Sequence, residues 1–173
     1  MASGGNGGGH LQQTDTLNTW MSVSAPAAFL GNLSPYLGGS FSFDGKNLSN
    51  HASDLQSGPW LGRVVINGSA GSATRDVAGM GAGLPLADGQ WHNFSATLTP
   101  ALWSGNLAAA LAAALANATA ITLTLEFNNA IVESAGLDNF RISPVPEPTT
   151  AWLFGVGGLA MWWRARRAAQ ARG

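Results

Sequence analysis

The chain of 173 residues has no cysteine, so thiol chemistry and a disulfide framework are excluded and the redox compartment is left undetermined. Charge is also scarce, at 10% of residues, beside 23 glycines and 46% hydrophobic residues. That balance suits a β-rich secreted domain better than a cytosolic helical enzyme. Met1 to Gly9 has neither a basic n-region nor an apolar h-region, so no export signal stands there. No Gly-X-Ser-X-Gly elbow and no phosphate loop occurs, and Gly79, Gly81 and Gly83 precede no helical pattern and read as loop. His10, His51 and His92 are isolated, without metal-ligand spacing, and read as surface or loop residues. No repeat of fixed period is present.

What remains fits one domain with an appendage, and the domain is long enough to bury a core. Residues 144–173 carry Arg164, Arg166, Arg167 and Arg172 against Glu147, a net charge of +3, whereas residues 1–143 carry four basic side chains against eight acids, a net charge of −4. An acidic body offers no basic patch to phosphates, which argues against a nucleic-acid partner.

From Trp20 onward the apolar pattern has period two, the signature of half-buried antiparallel strands. Phe41 and Phe43 share one face, and Phe94, Ala96 and Leu98 alternate with polar residues. In Ile121 to Phe127 four apolar residues face Thr122, Thr124 and Glu126 on the other side. Arg63 to Asn67 reads as a strand covered on both faces, and Asp138 to Ile142 as a last short one. Gly38-Gly39, Asp44-Gly45, Asn67-Gly68, Asp88-Gly89 and Asn128-Asn129 supply the turns, and 68–83 a loose hairpin or loop. Leu107, Leu111 and Leu115 in an Ala-rich stretch place one apolar stripe on a short helix ending near Asn117. The expected fold is all-β: a jelly-roll-like antiparallel sandwich with one short crossover helix.

The C-terminus has its own grammar. Pro144, Pro146 and Pro148 bias residues 144–150 toward extended backbone, with Glu147 as the single charge in that segment. Residues 151–163 are uncharged and end in Trp162-Trp163, followed by Arg164, Arg166 and Arg167. Even counted from Thr149, a helix there reaches only about 22 Å, short of a ~30 Å hydrocarbon core. A run this short also suits a buried core helix. The interfacial tryptophans and the arginine stop favour membrane insertion, with the basic tail 164–173 cytoplasmic. A marginal span suits an anchor meant to be cut.

Two resemblances follow from these residues. The body resembles the laminin B (domain IV) type of module. The features that carry it are Ser24 to Asn32, Gly38 to Phe43, Gln90 to Phe94, Leu98, Trp103, Leu115 to Ile121, Glu126 and Ala135 to Phe140. Gly4 to His10 resembles that family's glycine-rich entry, so 1–9 reads as the start of a cut domain and 10–143 as the module. The tail resembles the PEP-CTERM sorting signal of Gram-negative bacteria, with Val145, Pro146, Glu147 and Pro148 as its box. This resemblance implies export, handling by an exosortase-type membrane protease or transpeptidase at the inner membrane, and association with exopolysaccharide or the outer surface. It sets against the absent signal an expectation that the true start lies upstream of Met1; the alternative is a protein that stays inside.

These readings imply an exported, non-catalytic surface or matrix protein, with a glycan-binding module as the alternative and a glycan hydrolase least supported by the scattered acids. Trp60, directly after Gly58-Pro59, is the candidate for sugar stacking, while Trp91 and Trp103 are expected in the core. Asp138 shares a face with Phe140 and Ile142 by period two, so its carboxylate is expected to point inward. It then either accepts backbone N–H groups or, as the resemblance implies for jelly-roll modules, holds a structural calcium with Asp15.

Overall fold

In the computed structural model of the protein, the described residues are 1, 3–16, 20–49, 61–77, 88–105, 109–127 and 132–145. Nine strands run in the order β1 Leu11–Thr14, β2 Ser22–Ser24, β3 Ser40–Asn47, β4 Arg63–Gly68, β5 Gly71–Asp76, β6 His92–Thr97, β7 Ser104–Gly105, β8 Ala118–Thr124 and β9 Ser134–Ser143. These nine strands and one α-helix, α1, which spans Ala110–Ala116, are the elements among the described residues, besides three single 3-10 turns.

The strands form two antiparallel sheets. The first has four strands in the order β1-β9-β3-β6, and the second five in the order β2-β8-β4-β5-β7. Successive strands therefore tend to cross between layers, which face each other as a sandwich. The inward residues are those of the period-two pattern: Phe41 and Phe43 from the first sheet, and Val64, Ile66, Ile121 and Leu123 from the second, all at most 1% exposed. Phe41 meets Phe140 edge to face at 4.9 Å, and Phe43 stacks on Phe94 at 5.2 Å.

The helix is real but shorter than its sequence pattern, and Leu107 lies outside the described residues. It buries Ala110, Leu111, Ala114 and Leu115. Its N-cap residue, Ala109, makes no side-chain cap hydrogen bond, and the chain leaves at Asn117 as expected. Packing, not capping, holds it.

Four expectations are corrected. Asp44-Gly45 is no turn; it lies inside β3, where both residues pair with β6 and β9. The β4–β5 turn falls two residues later than Asn67-Gly68, at Ser69-Ala70, because Gly68 still pairs with Gly71. Of the two alternatives for 68–83 the hairpin is found, but it is not loose: Gly71–Asp76 is a regular strand, clamped by Arg63 to Asp76 at 2.7 Å, and residues 78–83 lie outside the described residues. Glu126 is 1% exposed although the alternation puts it on the polar face. The ladder of β8 ends at Thr124, and the chain beyond it turns so that Glu126 Oε2 accepts the Met21 N–H at 2.9 Å.

Candidate functional site

β9 carries an irregularity that builds the site. Its register against β3 jumps from Ser42↔Arg141 to Asp44↔Asp138, so one more residue lies between the pairs on β9 than on β3. This is a bulge, and it reverses the in-out phase of the strand. The period-two reading put Asp138, Phe140 and Ile142 on one face; the bulge at Asn139 leaves Phe140 packed on Phe41 and turns Asp138 to the outer surface beside Asp44. Asn139 occupies a left-handed conformation, φ 49°, which Asn tolerates better than most residues.

On that outer face Ser42, Asp44, Asn93, Asn139 and Arg141 line a polar groove of about 190 Å³. The strand register explains their meeting: Asp44 lies opposite Asn93 on one side and Asp138 on the other, and Ser42 lies opposite Arg141. Asp44 is 4% exposed and fully engaged. Its Oδ1 accepts from Asn93 Nδ2 at 2.7 Å, and its Oδ2 accepts from Asn139 Nδ2 at 2.7 Å and from Asn6 Nδ2 at 2.9 Å. Burial alone pushes the Asp44 carboxyl up. The three amides, of Asn93, Asn139 and Asn6, and the positive field of Arg141 outweigh it, so the group is held below the usual carboxylate range and is ionised at neutral pH.

The glycine-rich entry is part of this construction. Asn6 N–H donates to Asp138 Oδ2 at 2.7 Å, and Asn139 returns a bond from Nδ2 to Asn6 O at 3.0 Å. Gly5 fits against Gly9 and Asp138 only because it has no Cβ. Trp91 secures the arm through Nε1 to Gly4 O at 3.3 Å, with its ring over Gly136, His10 at its edge and Lys46 Nζ 5.8 Å from its centre. Trp91 is therefore not a core residue, contrary to expectation; it packs on the outer face of the first sheet. Trp103, 7% exposed, is a core residue as expected.

The calcium reading does not fit this arrangement. Asp138 has one oxygen on Asn6 N–H and the other on Asn139 N–H at 2.7 Å, the backbone-acceptor role weighed for it. Asp15 bonds through its N–H to Glu133 O, which places it five residues along β9 from Asp138, about 17 Å at strand rise. Asp15 instead lies at the opposite end of the strand pair, where it raises the Glu126 carboxyl further; burial there is the larger cause, and the Met21 N–H offsets part of it. Among the described residues no group of three His, Cys, Asp or Glu side chains is placed to hold a metal ion.

A second concavity of about 300 Å³ opens between the sheet edges β1 and β2. Leu11, Val23, Phe29, Leu123 and Phe140 are among its walls, and Ser24 is their one polar side chain. It offers no charged group to a ligand.

Trp60, Pro146, Glu147, Pro148, Arg164, Arg166 and Arg167, with the span 151–163, lie outside the described residues. Val145 is described and is 49% exposed. Among the described residues no helix is long and apolar enough to cross a membrane. The groove residues Ser42, Asp44, Asn93, Asn139 and Arg141, and Asn6 beside them, were not read from the sequence as a site. Alternation marks Ser42 and Asp44 as outward, but nothing in the sequence says that Asn93 and Arg141 stand beside them.

With this geometry in place, the comparisons with known proteins are specific on two points. The described architecture is a sandwich of two antiparallel sheets with one short helix: it is similar to the L4b domain of human laminin alpha-2, with a TM-score of 0.54 and 13% identity, over 72% of this chain and 69% of that one. At this identity the likeness establishes the fold alone. Residues 144–167 match the PEP-CTERM protein-sorting motif. The chain thus carries a laminin-like β-sandwich followed by a sorting motif that implies an exported protein processed by an exosortase. No curated protein matches the sequence.

Proposed function

We propose that the chain is a non-catalytic surface or extracellular-matrix protein of a Gram-negative bacterium, in which the sandwich is cargo and the tail an address label. The cargo is a jelly-roll-type module over 10–143. The label comprises the proline linker 144–150, a short membrane helix 151–163 and the basic cytoplasmic tail 164–173. An exosortase recognises the extended box Val145-Pro146-Glu147-Pro148, cuts the chain from its transient inner-membrane anchor and passes the module outward, where it associates with exopolysaccharide. The observation that carries this reading is the match at 144–167, in which the box, the uncharged run and the arginines follow one another in order.

The groove supports the non-catalytic part. A general acid for glycoside or ester cleavage needs a raised pKa in a cleft that substrate can enter. Asp44, the groove's lining carboxylate, is lowered, and three amides occupy it. Glu126 is raised, but it is 1% exposed and bonded to the Met21 N–H, away from the groove. A groove of amides, a hydroxyl and one guanidinium favours the second reading, a glycan-binding module, over a hydrolase.

The test is processing. The chain, fused behind a secretory signal peptide, is expressed in a Gram-negative host with and without its exosortase. Loss of the C-terminal epitope and release from the inner membrane are expected only where the exosortase is present, and Glu147→Gln in the box should impair both. Full-length protein of the same size and location in both hosts would remove the proposal.

A further inference from the structure

We infer that the groove lined by Ser42, Asp44, Asn93, Asn139 and Arg141 binds the carboxylate-bearing sugars of an acidic glycan, with Arg141 as the anion-binding group. The inference deepens the reading of a matrix-associated module and rests on it for the ligand's setting. The chemistry itself is that of the groove.

Three features of the groove select the ligand. First, its carboxylate is ionised but enclosed. Asp44 receives three amide donors and is 4% exposed, so its oxygens are taken up by the protein and it draws on Arg141 only through the field, not through a hydrogen bond. Second, Arg141 keeps its N–H groups free of protein acceptors among the described residues. It is exposed, shares the outer face with Ser42, and its guanidinium makes no hydrogen bond or ion pair among the described residues. Arg75 and Arg63 differ: one donates to Leu102 O at 2.7 Å, and the other pairs with Asp76. A planar fork with free N–H groups matches a carboxylate in bidentate fashion.

Third, the amide acceptors are fixed in advance. Asn93 and Asn139 each commit Nδ2 to Asp44, which aims the carbonyl Oδ1 of each in a set direction. With Ser42 Oγ they offer positioned partners for hydroxyl groups, and holding them in place before binding lowers the ordering cost. The lining supplies no apolar wall, so an acyl chain or an apolar peptide anchor gains nothing there. A ligand with one carboxylate among several hydroxyls, a uronic acid unit of a polysaccharide, satisfies every partner the groove presents.

The experiment is calorimetric titration of the full chain, in non-ionic detergent, with oligogalacturonate and oligoglucuronate. Neutral oligosaccharides of equal length and inorganic phosphate are the controls. The uronates should bind, the neutral sugars should not, and phosphate should bind far more weakly. Arg141→Gln should weaken uronate binding by at least about tenfold, and Arg141→Lys should fall between, because it keeps the charge and loses the fork. Melting temperatures should fall only slightly for Arg141→Gln and less for Arg141→Lys, since Arg141 makes no hydrogen bond or ion pair among the described residues and acts on Asp44 through its field alone. The proposal is overturned by no uronate binding in the wild type, by equal binding of neutral sugars or phosphate, or by Arg141→Gln binding as the wild type does. Failure of the delivery reading shows separately, because exosortase processing of the tail does not involve Arg141 and is scored by chain length.

Discussion

Asn139 reaches Asp44 across the β3–β9 ladder with its Nδ2 2.7 Å from Asp44 Oδ2, and it does so from a left-handed backbone, φ 49°, at the bulge of β9. Side chain and backbone are thus constrained at one residue, and two substitutions separate them. Asn139→Gly keeps the conformation and removes the bond to the carboxylate, for an expected loss of about 1–3 kcal/mol. Asn139→Ala removes the same bond and adds the left-handed penalty, about a further 1–2 kcal/mol. Urea denaturation of both variants measures this. An alanine variant no less stable than the glycine variant would show that the bulge does not impose its backbone.

The Asp44 network gives stability a defined pH dependence. The folded-state pKa is lowered, so the unfolded chain binds the proton more readily. The contribution is therefore fully present above the ordinary aspartate value, about 3.9, and is lost as pH falls through the lower folded value. Asp44→Asn, whose side-chain nitrogen opposes amide donors, should be less stable than wild type at neutral pH, with the gap narrowing on acidification. Thermal melts across about pH 2.5 to 7 test it; a gap that stays constant over that range would contradict the charge assignment.

Glu126 should show the opposite sign. Burial first, and Asp15 in addition, raise its pKa, while the Met21 N–H lowers it in part. Here the folded chain binds the proton more readily, so the contribution is present below the unfolded value, about 4.3, and is lost as pH rises through the folded one. Glu126→Gln keeps an acceptor for the Met21 N–H and removes the charge facing Asp15. The variant should melt higher than wild type at pH 7–8, and the advantage should vanish near pH 4. A variant less stable at pH 8 would mean that the ionised carboxylate is a better partner for Met21 than the argument allows.

The layers of the sandwich were legible because burial follows period two: Phe41, Phe43, Ile121, Leu123 and Leu125 all lie inside, as their spacing says. The groove was not, for two physical reasons. Its side chains come from an entry arm and strands β3, β6 and β9, and antiparallel pairing over separations such as Asp44 to Asp138 leaves no local mark. The bulge at Asn139 then reverses the phase of β9, so the same rule that placed Phe41 correctly sent Asp138 to the wrong face. Glu126 failed differently, because alternation assumes a ladder and β8 had already ended at Thr124. The sorting tail was legible because its motif is linear: the box, the uncharged run and the arginines follow one another within residues 144–167.

The last prediction concerns the sheet that does not carry the groove. Gly68 closes β4 where α1 crosses, and a Cβ there would lie 2.5 Å from Ala114 O, 2.7 Å from its Cα and 2.9 Å from its C. These are backbone atoms and cannot rotate away. The helix is only seven residues long and relies on burying Ala110, Leu111, Ala114 and Leu115, so lifting it exposes much of what holds it. Gly68→Ala should cost about 1–3 kcal/mol or more through overpacking. Gly31→Ala is the matched control: its Cβ would meet nothing within 4 Å, and only its left-handed φ of 100° is strained. Gly68→Ala should also lose helical circular dichroism before the sheets melt, which the control should not. Because the groove lies on the other sheet, folded Gly68→Ala protein should bind uronates with wild-type affinity; parallel loss of helix signal and binding would show that the two layers do not act independently.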